Sequence, residues 1–270
     1  VKEHRNFPSI DRLSVITATI LLAYALTVFI KFPTQTINLQ LPGFLLTFEV
    51  DFITIVSIIV AILAGAGSDW LIGDHPSLGS EPRAQHWILP AFTALVLGIP
   101  LDSLRVSPAW WMVFGLGGLL LVGVLISEYI SVDPSDIRQS IAVVSLTAVS
   151  LALLLVLLIT VRGAGLRLYL VIAAVFPTIA LVTMKALHLR LGSGWHLPWV
   201  IGITLVFTQI TTGLYYLPLK PLQFGLVLLG VAYGLISLAG NIEEQHTPRS
   251  LWIEPVIMFL LITFLAFLPF

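Results

Sequence analysis

Carboxylates and imidazoles are the side chains best suited to holding a divalent ion or moving a proton, and in this sequence they gather. The stretch Gly67–Trp87 carries Asp69, Asp74, His75, Glu81, Arg83 and His86, and it is the longest polar interruption in an otherwise apolar chain. Asp69, Asp74 and His75 are its first candidates for metal binding or acid–base chemistry. Asp74–His75–Pro76 also has the makeup of a simple turn, since Asp favours turns through bonds to its own backbone. A second group, Glu128, Asp133 and Asp136, follows an apolar run. Asp133 before Pro134 reads as a helix N-cap with proline at the first helical position, and Asp136 suits the first turn. That leaves Glu128 as the member of the group available for chemistry. Glu254 lies inside the last apolar run, between Trp252 and Pro255, in a helix expected to be capped by Thr247–Pro248. An ionisable residue in such a place is functional by default, although snorkelling toward headgroups explains it equally well. Lys185, His188 and Arg190, with His196 beyond them, form a basic edge that suits a phosphate or an anionic headgroup. The usual excess of basic residues on the cytoplasmic side accounts for that edge too.

What positions these residues is hydrocarbon. Of 270 residues, 58% are hydrophobic and 10% charged, and the mean hydropathy is +1.03. A soluble domain carries about a quarter charged residues, so lipid must be the solvent for most of this chain. The net charge of −1 gives no electrostatic case for nucleic acid. With no cysteine, disulfides, thiolate metal sites and iron–sulfur ligation are excluded, and no cofactor is indicated by the sequence. The fold class is all-α: a polytopic transmembrane helical bundle forming a single membrane domain over residues 1–270. Membrane helices need about 20 apolar residues. The expected spans are Leu13–Phe32, Phe44–Ala66, Trp87–Leu101, Ala109–Ser127, Ser140–Val161, Leu166–Leu187, Leu197–Leu217, Pro221–Ala239 and Leu251–Phe270. Trp87–Leu101 is the weakest, being short and holding Pro90 and Pro100; were it re-entrant, eight spans would remain. The first run is expected to be a retained helix rather than a cleaved signal.

With nine spans, the amino terminus and the loops after even-numbered spans share a face. That face holds eight of the thirteen Lys and Arg residues, which makes it cytoplasmic under the positive-inside rule, in a prokaryotic-type inner membrane. It also holds all six histidines and eleven of the fourteen acids, Glu49, Asp51 and Asp102 being the exceptions. Either the longer loops on that side simply have room for polar residues, or they build a sheltered rim site there. Within the helices, Gly230 and Gly234 offer a close-packing face and Gln209 a bond to a neighbouring helix.

The layout, with polar loops after the second and sixth spans, resembles that of membrane prenyltransferases, which hold magnesium diphosphate between two aspartate-rich loops. Here the first loop has only Asp69 and Asp74, and the second has Lys185, His188 and Arg190 without an aspartate. The resemblance is one of layout and does not extend to the motifs. Three functions are therefore expected in order. The first is a non-catalytic subunit or scaffold of a membrane complex, whose partners are membrane lipids and other membrane subunits. The second is an enzyme acting on a phosphorylated or isoprenoid lipid at the cytoplasmic rim through Asp69, Asp74, His75, Glu128 and Glu254. The third is a transporter without ion coupling, since the helix middles lack the carboxylates that coupling uses.

Overall fold

A computed structural model describes residues 8–30, 33, 35–41, 44–73, 75, 83–133, 135–192, 194–245 and 248–268. The chain divides into two compact units, residues 1–142 and 143–270. Among the described residues, eight helices are long and apolar enough to cross a bilayer, and the last, Leu251–Ala266 by its apolar part, is shorter. In lipid a helix satisfies its backbone internally, and these runs have no other stable form; the chain is a multi-pass membrane protein.

The first unit contains α1 (Ile10–Phe29), strands β1 (Gln35–Leu41) and β2 (Phe44–Val50), α2 (Phe52–Ile72), α3 (Ile88–Ser103) and α4 (Pro108–Ser131). Helix α5 (Gln139–Gly163) carries the chain into the second unit. Two expectations are corrected here. Phe44–Val50 is not the start of the second span but the return strand of an antiparallel hairpin, registered from Gln35 opposite Val50 to Leu41 opposite Phe44. The alternation Thr-Ile-Asn-Leu-Gln-Leu in the first strand favours extended pairing over helix. The second span runs on to Ile72, so Asp69 belongs to the last turn of α2 and not to a loop. The weakest expected span, Trp87–Leu101, is present as α3, an uninterrupted helix preceded by a 3-10 turn at Arg83–His86. Pro90 is its third residue, where the missing N–H would have had no helical partner anyway.

Three helices of this unit meet at a small polar knot. Tyr24 of α1 donates its hydroxyl hydrogen to the Ala94 carbonyl of α3 at 2.5 Å, and both residues are buried. Gly98 faces Ser57 of α2 so closely that a Cβ built there would lie 2.1 Å from Ser57 Oγ and 3.2 Å from the Tyr24 hydroxyl. Around the knot pack Ile20, Val60, Ala64, Leu97, Leu121 and Leu125.

The second unit holds the rest of α5 with α6 (Leu168–Leu191), α7 (Leu197–Tyr215), α8 (Pro221–Glu243) and α9 (Pro248–Ala266). Gly230 and Gly234 do bring α8 against α9: a Cβ on Gly230 would meet Phe259 at 3.3 Å, and one on Gly234 the Pro255 carbonyl at 3.6 Å. Pro255 cannot donate to the carbonyl four residues back, that of Leu251; Asn241 of α8 fills it, donating from Nδ2 at 3.2 Å. Arg162 of α5 binds the Tyr215, Leu217 and Leu219 carbonyls at 2.9, 2.8 and 3.4 Å, closing the turn from α7 to α8. Gln209, expected to bond a neighbouring helix, instead occupies an exposed position on α7.

Because Gly98 has no space for a methyl group, Gly98→Ala should lower stability by about 1–3 kcal/mol, the usual cost of overpacking. Trimming the opposing side chain, in Gly98→Ala combined with Ser57→Ala, should recover part of that loss. Gly115 has nothing within 4 Å of a Cβ, so Gly115→Ala should be neutral or stabilising by up to about 1 kcal/mol. Melting curves of the detergent-solubilised variants check all three.

Candidate functional site

The polar residues of the first unit converge at the end of α2 far from the hairpin. Helix α2 covers 21 residues, about 30 Å at 1.5 Å per residue, with the hairpin at one end and Asp69 at the other. Ser68, fully buried, donates from Oγ to the His86 carbonyl at 2.9 Å, tying the 3-10 turn back onto α2. Trp87 donates from Nε1 to Asp69 Oδ1 at 3.3 Å. These two contacts aim His86 at the last turn of α4. There Glu128 is wholly buried, and its Oε2 lies 2.9 Å from His86 Nδ1. As the Nδ1–H tautomer, His86 donates to this carboxylate. The next residue on α4, Tyr129, meets the His75 ring edge-on with centroids 4.6 Å apart.

The connection from α4 to α5 completes the wall. Asp133 does not cap α5, which begins only at Gln139. Its Oδ1 instead accepts from the Ser135 backbone N at 2.9 Å and from Ser135 Oγ at 2.6 Å, a local Asx turn. Asp136 pairs with Arg138, accepting from its backbone N at 2.8 Å and from Nη2 at 3.0 Å. Those bonds hold the Asp136 carboxyl below its usual range and the Arg138 guanidinium above its own. Burial pushes the His75 imidazole down, against the upward pull of the Asp133 and Asp136 carboxylates. So Asp69, His75 and Glu128 are drawn to one end of this unit, joined by His86, Trp87 and Tyr129, none of which was among the sequence candidates. Glu128 stands at the edge of a span and His75 and His86 lie in the polar stretch before α3, but nothing in the sequence says which histidine meets it. Asp74, Glu81, His246 and Thr247 lie outside the described residues. Among the described residues, no group of three His, Asp or Glu side chains is placed to hold a metal ion. At the opposite end, a cavity of about 670 Å³ is bordered by Asp51, Asp102, Arg105 and Trp110.

The remaining candidates belong to the second unit. Glu254, exposed on α9, accepts the hydroxyl hydrogen of Tyr233 from α8 at 2.8 Å. Lys185 is buried at 1% exposure. Arg190 grips Glu244 through Nε and Nη2, 2.8 Å from each carboxylate oxygen, and Nη2 also donates to Asn241 Oδ1 at 2.6 Å. His188 lies in the last turn of α6. Of the basic edge, Arg190 is thus tied into the end of α8.

Two tests follow. Breaking the buried His86–Glu128 pair with Glu128→Ala should cost about 3–5 kcal/mol, and Glu128→Gln less, because the amide oxygen still accepts. For His75, a depressed imidazole means that the unfolded chain binds a proton the folded chain refuses. Its contribution is therefore complete above the ordinary histidine value of 6.5 and is lost as pH falls below it. The wild-type melting temperature should decline from about pH 8 to about pH 5.5, and His75→Phe should flatten that decline.

Comparison with curated proteins and with solved structures gives no match. A family model, described as "Protein of unknown function (DUF5656)", matches residues 32–268. That match takes in both units, from the hairpin to the last helix, and the chain belongs to this family.

Proposed function

We propose that this protein is a non-catalytic subunit or scaffold of a membrane complex. It threads the membrane nine times, with its amino terminus in the cytoplasm of a prokaryotic-type cell. The observation that carries this reading is where its polar side chains are committed. Arg12 donates to the Trp70 carbonyl at 2.7 Å and lies over the Trp70 ring. Arg162 closes the turn from α7 to α8, Arg190 binds the end of α8, and Tyr233 holds Glu254. Each of these joins one helix of the chain to another, which is architecture. The faces left outward are hydrocarbon; on α9, Trp252, Ile253, Ile257, Leu260 and Phe264 are all more than half exposed. Such faces are suited to lipid or to the helices of another subunit.

A second reading, an enzyme working on a phosphorylated or isoprenoid lipid at the cytoplasmic rim, is favoured by one observation. His75, His86 and Glu128 lie together at one end of the first unit, a carboxylate–imidazole arrangement capable of proton transfer.

Purification from native membranes through two different affinity tags should yield a second polypeptide in fixed stoichiometry. A monomer of 29.5 kDa in every mild detergent would overturn the subunit reading. A melting shift of several degrees with magnesium and diphosphate, lost in Glu128→Gln, would move the assignment to the enzyme. The threading is open to direct measurement because the chain has no cysteine. In intact cells, Ser135→Cys should be protected from a membrane-impermeant maleimide and Lys220→Cys labelled. Equal labelling of the two would refute nine passes.

A further inference from the structure

The second unit contains a cleft that the subunit reading does not use. It lies where α5 begins and where α6 and α8 approach their ends, and its volume is about 500 Å³, within the range of small-molecule sites. Val144 and Ala148 of α5 and Ile236 of α8 represent its walls, which are mostly hydrocarbon; Arg190, Tyr233 and Ser237 supply most of its polarity.

The chemistry of those three residues narrows the ligand. Arg190 is the charged residue among those lining the cleft. Its charge is met by both oxygens of Glu244, and two further N–H donors reach Asn241 Oδ1 and, at 3.3 Å, the Ser237 carbonyl. A phosphate would have to compete with that carboxylate for the guanidinium, and a second carboxylate, Glu254, stands close by on Tyr233. The rim therefore repels anions. Tyr233 gives its hydrogen to Glu254, so toward the cleft its hydroxyl oxygen can act only as an acceptor. Ser237 is 3% exposed and its Oγ has no partner. Serines and threonines within helices ordinarily bond a carbonyl one turn back, as Thr147 does on the facing helix, to Val143 at 2.9 Å. A buried hydroxyl without a partner is costly, and a ligand carrying a hydroxyl would relieve it by accepting from Ser237 and donating to Tyr233.

We propose that this cleft binds one linear hydrocarbon chain of a neutral, hydroxyl-bearing lipid, of the monoacylglycerol or long-chain alcohol class, with its head held between Ser237 and Tyr233. The site stands whether or not the protein has a partner subunit.

The test uses the full-length protein in detergent and a monoacylglycerol with a diazirine in its acyl chain. After illumination, label should concentrate on peptides of α5, α6 and α8 that line the cleft. Unlabelled monoacylglycerol should compete at least tenfold better than a lysophosphatidate of the same chain length. Ala148→Trp, which fills the cleft, should cut specific labelling at least fivefold with the melting temperature preserved. Ser237→Ala, which changes the volume little, should weaken competition about fivefold, the factor associated with one neutral hydrogen bond, and it serves alone should the tryptophan variant fail to fold. Label spread evenly over exposed faces such as α9 would overturn the proposal. So would labelling indifferent to both substitutions, or a lysophosphatidate that competes as well as the neutral lipid.

Discussion

A carbonyl left open at the end of a helix finds no water inside a bilayer, and the chain itself must answer it. Helices α2, α3 and α7 have no basic residue in their own last turns. The donors come from neighbours: Arg12 of α1 for Trp70, Trp110 of α4 for Leu101 at 3.1 Å, and Arg162 of α5 for the end of α7 and the turn beyond it. Asn241 does the same for the carbonyl exposed by Pro255. Apolar packing between helices has little sense of register when lipid is as good a neighbour as leucine. These directional bonds, each available at one height along one face, are what fix which helix ends meet.

That constraint also shapes what the protein can do. A guanidinium holding three carbonyls is not at hand for a substrate, and a tyrosine that steadies a carboxylate between two helices is first a fastener. The His86–Glu128 pair is of another kind. Neither side chain is needed to complete a helix end; the backbone of His86 is held separately by Ser68. Keeping a carboxylate fully buried against an imidazole is costly compared with an apolar contact of similar shape. The pair thus differs from the more conspicuous acids around it, being a buried carboxylate–imidazole contact where Asp133 and Asp136 bond their own local chain.

Much of the architecture was legible in the sequence because it depends on composition over long windows. The errors arose where a local pattern competed with that average. Phe44–Val50 is apolar enough to look like the start of a span, yet its partner strand alternates polar and apolar residues, and pairing with it wins. Asp69 looked like loop because it is charged, but Leu71 and Ile72 after it are buried and carry the helix on for one more turn. Pro90 looked like a breaker and is harmless in a first turn. For the site, the candidates at the ends of α2 and α4 could be named, since polar residues at the edges of spans stand out. Their partners could not. Choosing His86 over His75 for Glu128 requires knowing that the 3-10 turn folds back onto Ser68, a contact across eighteen positions.

The basic edge at the end of α6 shows the same difference between counting and geometry. Lys185, His188 and Arg190 counted as charges suggest an anion site, and on that count the enzyme reading gained a headgroup pocket. Counted as charges left unmatched, the edge changes character. Glu244 sits one turn beyond Asn241 on the end of α8, and both reach Arg190 from the same side; the pairing follows from helical spacing once α6 and α8 are adjacent. A cation neutralised in this way still counts toward topology during insertion, when α8 has yet to arrive, and then serves as a joint in the finished fold. The positive-inside signal and the pairing of Arg190 with Glu244 are therefore compatible. What remains beside the joint is an apolar cleft with hydroxyl chemistry, and its selectivity is set by the carboxylates that the helix ends recruited for structural reasons.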